Sequence, residues 1–370
     1  MFQRSISVAL IVLALSISAL AQPALYWINI QTGIERSTLL GGNREIVIPA
    51  SQVTPKGIAL DLWNQKIYWT DWVSDKIQRS NLDGTEIEDI IVADLALPDG
   101  LALDLEGEMM YWTDSGKKDI KRAKMDGTEM EVLVTYQNIN LDGIALDPGA
   151  NKMYWTEWGD GAAIGKVKRA NLDGSMIEDI VAISGSIIKG IALDLNQGKV
   201  YWTDCTLGKV SRTNLNGGII EDLVTGLSTP LGLALDLENG NIYWTDLGSR
   251  KLQRSSMDGS QVEDVITENI NKPHGLAIDP DLPIQVGTKV VEDGLSINIF
   301  PNPVADFLHI EQLPAKSRII IYTSQGREIL NTFVEPSGLE VMVTHWPVGV
   351  YSLKVVNKNN QSTTYQFVKI

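Results

Sequence analysis

The pair Tyr-Trp occurs six times, at Tyr26-Trp27, Tyr68-Trp69, Tyr111-Trp112, Tyr154-Trp155, Tyr201-Trp202 and Tyr243-Trp244, with successive spacings of 42, 43, 43, 47 and 42 residues. A second motif keeps step with it: Gly57-Ile-Ala-Leu-Asp61, Gly100-Leu-Ala-Leu-Asp104, Gly143-Ile-Ala-Leu-Asp147, Gly190-Ile-Ala-Leu-Asp194, Gly232-Leu-Ala-Leu-Asp236 and Gly275-Leu-Ala-Ile-Asp279. Self-similarity at such a period means blades or solenoid coils.

One unit shows which. Gly57 to Asp61 is short, apolar and β-compatible, and Trp63 to Lys66 is a polar turn. Lys66 to Asp71 is rich in aromatic and β-branched residues, as strands are. Trp72 to Asp75 turns the chain, and Lys76 to Ser80 alternates like a half-buried strand. Asp83-Gly84 signals a hairpin, and Ile87 to Val92 is a fourth strand. Four short strands in about 40 residues make one propeller blade. Leucine-rich and ankyrin solenoids fit badly, because no repeat holds a helical stretch. The first unit opens at Tyr26 with no Gly-x-Ala-x-Asp strand before it, and the last ends at Asp279 after that strand alone. These fragments complete each other, so a ring of six blades is predicted, the last built from 275–279 plus 25–48. The four extra residues of the Tyr154 unit fall in Gly159 to Gly165, between its second and third strands.

After Asp279, Pro280-Asp-Leu-Pro283 opens a polar stretch that reads as a linker over 281–294. Strand-like runs then recur at Ser296–Phe300, Phe307–Glu311, Arg318–Tyr322, Glu328–Phe333, Leu339–Thr344, Gly349–Val356 and Thr363–Val368. They predict a small immunoglobulin-like β-sandwich over 295–370. The predicted fold class is therefore all-β, a six-bladed propeller over 22–280 followed by a sandwich. Residues 1–21 read as a secretory signal peptide: Arg4 gives a positive start, Val8 to Leu20 is apolar apart from serines, and Ala19-Leu-Ala21 is a cleavage site. That run is short for a membrane span, and no later segment could cross as a helix. With Cys205 as its one cysteine, the chain has no internal disulfide, and the thiol is expected to be buried and inert.

Net charge is −15. Residues 22–293 hold 41 acidic and 24 basic side chains, so the acidity belongs to the repeats. Binding phosphates needs clustered Lys and Arg, which argues against nucleic acid as a partner.

The Tyr-Trp-Thr-Asp set, with Gly-x-Ala-x-Asp and Leu-Asp-Gly, resembles the six-bladed propeller of the LDL-receptor family, including its Wnt co-receptor members and nidogen. The resemblance covers about residues 25–280. Departures are Tyr26-Trp-Ile-Asn29 and Glu157 in place of Asp. The cysteine-rich modules that accompany the propeller in that family are absent from this sequence. The tail, with Phe300-Pro-Asn-Pro303, Ile321-Tyr322, Gly326-Arg327, Gly349-Val-Tyr351 and Phe367-Val-Lys369, resembles the C-terminal sorting domain of the Bacteroidota type IX secretion system. That resemblance implies handling by the type IX machinery through 295–370, export across the outer membrane, and release or attachment at the cell surface. The tail is then an address rather than part of the working site.

If the strands run from the axis outward, the connections into first strands and those joining second to third strands share one face. That face carries the residues before each Gly, namely Lys56, Asp99, Asp142, Lys189, Leu231 and His274. It also carries those after each tetrapeptide, Trp72, Ser115, Trp158, Cys205 and Leu247. They vary between units, as a specific site on a symmetric scaffold requires. The ligand face is expected to use Trp72, Trp158, Lys56, Asp99, Asp142, Lys189 and His274. In the Wnt co-receptor propellers a similar Tyr-Trp-Thr-Asp-Trp-Gly run contributes to the ligand face, and Tyr154-Trp-Thr-Glu-Trp-Gly159 matches it; the resemblance points to Trp158 and, less closely, to Trp72. Both tryptophans are placed on loops, tucked against their own blade or forming an anchor patch.

The regular Tyr and Trp read as packing between blades. The repeated Asp (Asp71, Asp114, Asp204, Asp246, with Glu157) and Arg (Arg79, Arg122, Arg212, Arg254) read as a repeated ion pair. The opposite face carries Glu88-Asp89, Glu178-Asp179, Glu221-Asp222 and Glu263-Asp264, read as a solvated acidic rim. Calcium would suit these carboxylates, but no Asp-x-Asp-x-Asp-Gly loop is present and no cofactor is expected. The first functional reading is a secreted or surface binding module, a monomer that recognises a protein, peptide or glycan ligand through one loop face without catalysis. The alternative is a metal-dependent propeller hydrolase or lactonase, with Asp99 and Asp142 sharing a cation at the channel mouth. No Ser/His/Asp set, phosphate-cradling glycine loop or zinc-ligand spacing supports other chemistry.

Overall fold

The computed structural model describes residues 23–62, 64–159 and 164–279, and parts of 297–369. The expected signal peptide, the linker over 281–294, Trp63, the tip of the loop after Gly159 and residues 301–303 and 326 of the tail motifs lie outside the described residues.

Five four-stranded antiparallel sheets follow one another in sequence. Blade 1 is Pro55–Asp61, Lys66–Asp71, Lys76–Asn81 and Glu88–Ile91. Blade 2 is Pro98–Asp104, Met109–Asp114, Asp119–Lys124 and Glu131–Thr135. Blade 3 is Ile139–Asp147, Lys152–Gly159, Ile164–Asn171 and Glu178–Ser184. Blade 4 is Ile188–Asp194, Lys199–Asp204, Lys209–Asn214 and Glu221–Thr225. Blade 5 is Pro230–Asp236, Asn241–Asp246, Lys251–Ser256 and Glu263–Ile266. Blade 6 combines the two ends of the repeat region: Pro273–Asp279 pairs antiparallel with Ala24–Asn29, which continues to Gly33–Thr38 and Glu45–Pro49.

The Tyr-Trp pair explains how the blades join. Neighbouring residues of a strand point to opposite faces of their sheet, so each pair serves two interfaces. Tyr68 packs in one core with Trp112, Tyr111 with Trp155, Tyr154 with Trp202, Tyr201 with Trp244, Tyr243 with Trp27, and Tyr26 with Trp69. The sixth pairing closes the circle. All twelve rings are buried.

A hydroxyl relay adds polar stitching. In blade 1, Gly57 N–H donates to Thr70 Oγ1 at 2.8 Å, and Thr70 donates on to the Asp99 carbonyl of blade 2 at 2.6 Å. Thr113, Thr156, Thr203 and Thr245 repeat this toward the carbonyls of Asp142, Lys189, Leu231 and His274. The glycines allow the close approach. A Cβ at Gly57 would lie 2.1 Å from the Asp99 carbonyl oxygen, and one at Gly232 would lie 2.2 Å from that of His274. Blade 6 carries Ile28 where the others carry Thr, and Ile28 Cδ1 faces Gly275 instead.

One polar expectation is corrected. The repeated Asp and Arg do not pair with one another. Asp71, Asp114, Asp204 and Asp246 accept from the turns beside them, as in the bonds from Thr54 N and Ser74 N to Asp71 at 2.7 and 3.0 Å. Each Arg instead pairs with the Glu that opens the outermost strand and reaches its Tyr hydroxyl, as Arg79 does with Glu88 and Tyr68. The acidic pairs lie on the exposed outer edge, where Asp89, Asp179, Asp222 and Asp264 also hold Lys76, Lys166, Lys209 and Lys251. The four extra residues of the Tyr154 unit lengthen a hairpin. Strands two and three of blade 3 run eight residues each, and Trp158 sits in the ladder opposite Gly165 rather than on a loop.

After the propeller in sequence, Asn298–Phe300, Phe307–Glu311 and Leu339–Met342 form one sheet. Glu328–Val334, Ser317–Thr323, Gly349–Val356 and Ser362–Lys369 form the other. Leu308, Ile310, Ile319, Ile321, Leu353 and Phe367 fill a core of their own. Among the described residues no helix is long and apolar enough to cross a membrane.

Two stability outcomes follow from these bonds. Thr113→Val keeps the shape but strands Gly100 N–H and the Asp142 carbonyl, and is expected to cost about 1–3 kcal/mol in denaturant unfolding. In blades 1 and 5, Gln78 and Gln253 accept from the Trp indole and donate to Asp89 and Asp264. Ser211 reaches only Asp222, leaving the Trp202 indole N–H unpartnered. Ser211→Gln is expected to stabilise the chain by about 1 kcal/mol in the same assay.

Candidate functional site

The inner strand of each blade is irregular at one place. Its pairing with the second strand slips between Pro55 and Ile58, Pro98 and Leu101, Leu141 and Ile144, Ile188 and Ile191, Pro230 and Leu233, and Pro273 and Leu276. Bulges of this kind re-aim side chains beside functional sites. Here they coincide with the residue before each Gly. Lys56, Asp99, Asp142, Lys189, Leu231 and His274 consequently meet around the mouth of a cavity of about 370 Å³ on the channel axis.

The mouth is not six-fold. Lys56 makes an ion pair with Asp99 of the next blade. Lys189 pairs back to Asp142 of the preceding blade at 2.7 Å. The two aspartates are buried, and the lysines are about one-quarter exposed, at 24% and 23% of their side chains. Leu231 and His274 leave the remaining arc without charge pairs, and Leu247, Thr229 and Cys205 complete that wall. Below the mouth, Ile58, Leu101, Ile144, Ile191, Leu233 and Leu276 make an aliphatic throat, one residue per blade.

Burial dominates the electrostatics. It pushes the Asp99 carboxyl up to about 6, with Lys56 opposing and the neighbouring Asp142 adding to the rise. Burial pushes the His274 imidazole down to about 4, helped by the charges of Lys56 and Lys189, so the ring is neutral at physiological pH. Cys205 is half-buried rather than buried, and burial raises its thiol above the ordinary value.

The seven expected residues fall into two groups. Lys56, Asp99, Asp142, Lys189 and His274 line the cavity. Trp72 and Trp158 stand beside it, half-buried, each next to one lysine. The Lys56 ammonium lies 5.8 Å from the Trp72 ring centre, and that of Lys189 lies 5.0 Å from Trp158. The Trp158 indole donates to Asp142 Oδ2 at 2.6 Å. Both rings therefore brace the ion pairs, a role that residue type alone does not reveal. The pairing itself left a trace in the sequence: opposite charges stand before the glycines of neighbouring units, Lys56 with Asp99 and Asp142 with Lys189. The throat and the Thr relay were also written there, as the Ile or Leu after each Gly and the Thr in step with it.

A ring of Tyr-Trp-Thr-Asp blades with an asymmetric mouth defines a propeller of the low-density lipoprotein receptor type. Comparison with known families agrees: low-density lipoprotein receptor repeat class B matches residues 65–105, 108–148 and 240–280, and the secretion system C-terminal sorting domain matches 298–369. The chain thus carries class B propeller repeats followed by a type IX secretion sorting domain, and it is exported to the cell surface or secreted. It is similar to a chain in the crystal structure of a nidogen/laminin complex, 26% identical, covering 69% of this chain and 98% of the other with a TM-score of 0.64. Hydrazine synthase of Kuenenia stuttgartiensis shares the fold alone, at 15% identity, 61% of this chain, 70% of the other and a TM-score of 0.51. No curated protein matches the sequence.

The Asp99 titration is open to direct observation. Side-chain carboxyl NMR is expected to show a midpoint near 6, and Lys56→Met is expected to move it further up by removing the cation that opposes the rise. Because the folded value lies above the ordinary carboxylate value of 3.8, the folded chain holds a proton that the unfolded chain has released. This group's contribution to stability therefore grows as pH falls from about 6 toward 4.

Proposed function

We propose that the propeller is a secreted or surface-held binding module that receives a protein, peptide or glycan ligand at the channel mouth, without turning it over. The observation that carries this reading is the pair of Lys–Asp bridges, set into a mouth where blades 5 and 6 carry Leu231 and His274. Desolvating two charges costs about as much as their attraction returns, so such pairs add little to stability. Their place at the axis, where loops from all six blades converge, is where a ligand can touch the most variable positions at once. The similar propeller-containing complex consists of nidogen and laminin, two proteins in association.

A metal-dependent hydrolase is less well supported. Lys189 already holds both oxygens of Asp142, and Lys56 holds one oxygen of Asp99, so a shared cation would have to displace the Lys189 ammonium.

The test compares native chain, an Asp142→Asn/Lys189→Met variant of the mouth, and an Arg254→Gln/Glu263→Gln variant of the outer edge as baits for envelope extract and spent medium. A partner kept by the native chain and the edge variant but lost by the mouth variant is the expected result. Equal capture by all three would move the binding surface away from the mouth.

A further inference from the structure

Resting on the reading of the mouth as a binding site, the hydrogen-bonding capacity left over in the cavity specifies a class of ligand. Asp142 is filled, with Lys189 on both oxygens at 2.7 and 2.9 Å and the Trp158 indole on Oδ2. Asp99 is not. Lys56 takes Oδ2, and Oδ1 has no protein partner among the described residues; the residue as a whole is 7% exposed, and Oδ1 is the oxygen left open to the cavity. An ammonium has three donors. Lys56 gives one to Asp99, and Lys189 gives its bonds to Asp142 alone. His274 Nδ1 lies 3.1 Å from the Lys272 carbonyl, to which it can only donate, so Nε2 of the neutral ring keeps a lone pair. The cavity therefore offers spare donors on two lysines and spare acceptors on Asp99 and His274.

The charges at the mouth cancel. A ligand with net charge would leave that charge uncompensated in a buried site, whereas one that carries both signs would not. Beneath the charges lies the aliphatic throat, and the cavity volume of about 370 Å³ is in the range of roughly 300–1,000 Å³ typical of small-ligand sites. We propose that the mouth binds a small aliphatic zwitterion, a leucine-like amino acid or dipeptide, with its ammonium on Asp99 Oδ1, its carboxylate on a spare lysine donor, and its side chain in the throat. Free amino acids and short peptides share this chemistry.

Calorimetric titration of the full chain at neutral pH with leucine, leucyl-leucine, N-acetyl-leucine, leucinamide and glycine separates these terms. One of the two aliphatic zwitterions is expected to bind one-to-one, and at least about tenfold more tightly than both blocked forms and than glycine; which of the two does so identifies the source. Asp99→Asn should shift preference toward the anionic N-acetyl-leucine, and Lys56→Met toward the cationic leucinamide. Opposite shifts of this kind cannot arise from partial unfolding. Blocked and zwitterionic forms binding alike, or no heat from either zwitterion, would overturn the inference. If the mouth variant nonetheless loses its envelope partner, the binding reading stands without it; silence in both experiments removes both.

Discussion

An extended dipeptide must send its two side chains to opposite sides of its sheet, and the whole ring depends on that constraint. With large aromatics at both positions, a blade carries a Tyr on one face and a Trp on the other, and neither can be covered by its own strands. Each blade therefore has two unsatisfied faces and needs two neighbours. Six blades meet this need without remainder, because Tyr26 of the last blade finds Trp69 of the first. The rigid wedge set by these pairs then holds the inner strands at a fixed distance from the axis.

That distance is small, which gives the glycines and threonines their meaning. Neighbouring inner strands come so close that a Cβ on Gly57 would overlap the Asp99 carbonyl, and the Thr70 hydroxyl passes a hydrogen bond between the two blades. The same geometry slips the ladder by a bulge and leaves the residue before each Gly at the mouth. Repetition fixes the position and leaves the residue type free. The scaffold has used this freedom on four consecutive blades to place Lys56, Asp99, Asp142 and Lys189, in an order that lets each lysine find an aspartate.

Much of this was legible in the sequence because it is periodic. The strands, the number of blades and the seven strands of the tail follow from motifs that recur at fixed spacing or alternate with period two. Partners across space were harder to read. The repeated Asp and Arg looked like a pair because they repeat together, yet in the strand ladder Arg79 lies opposite Tyr68 and Glu88, while Asp71 sits at the turn, out of its reach. Trp158 looked like a loop residue because the extra residues of its unit looked like loop, whereas they extend the hairpin. The repeat places His274 and Cys205 on the mouth face, but how deeply each is buried there came only from the fold.

The seam between blades 6 and 1 differs from the other five. Ile28 breaks the hydroxyl relay there, and blade 6 itself joins segments some 240 residues apart through Asn29 and Arg44, which hold the chain at Asn269. The ring is thus a clasped bracelet, with its fastening made last and from both ends of the strip. Among the described residues no propeller strand lies beyond Asp279, so the clasp takes no strand from the tail. The strip can be fastened only once its far end has been made, so the same chain is an open ribbon for most of its synthesis.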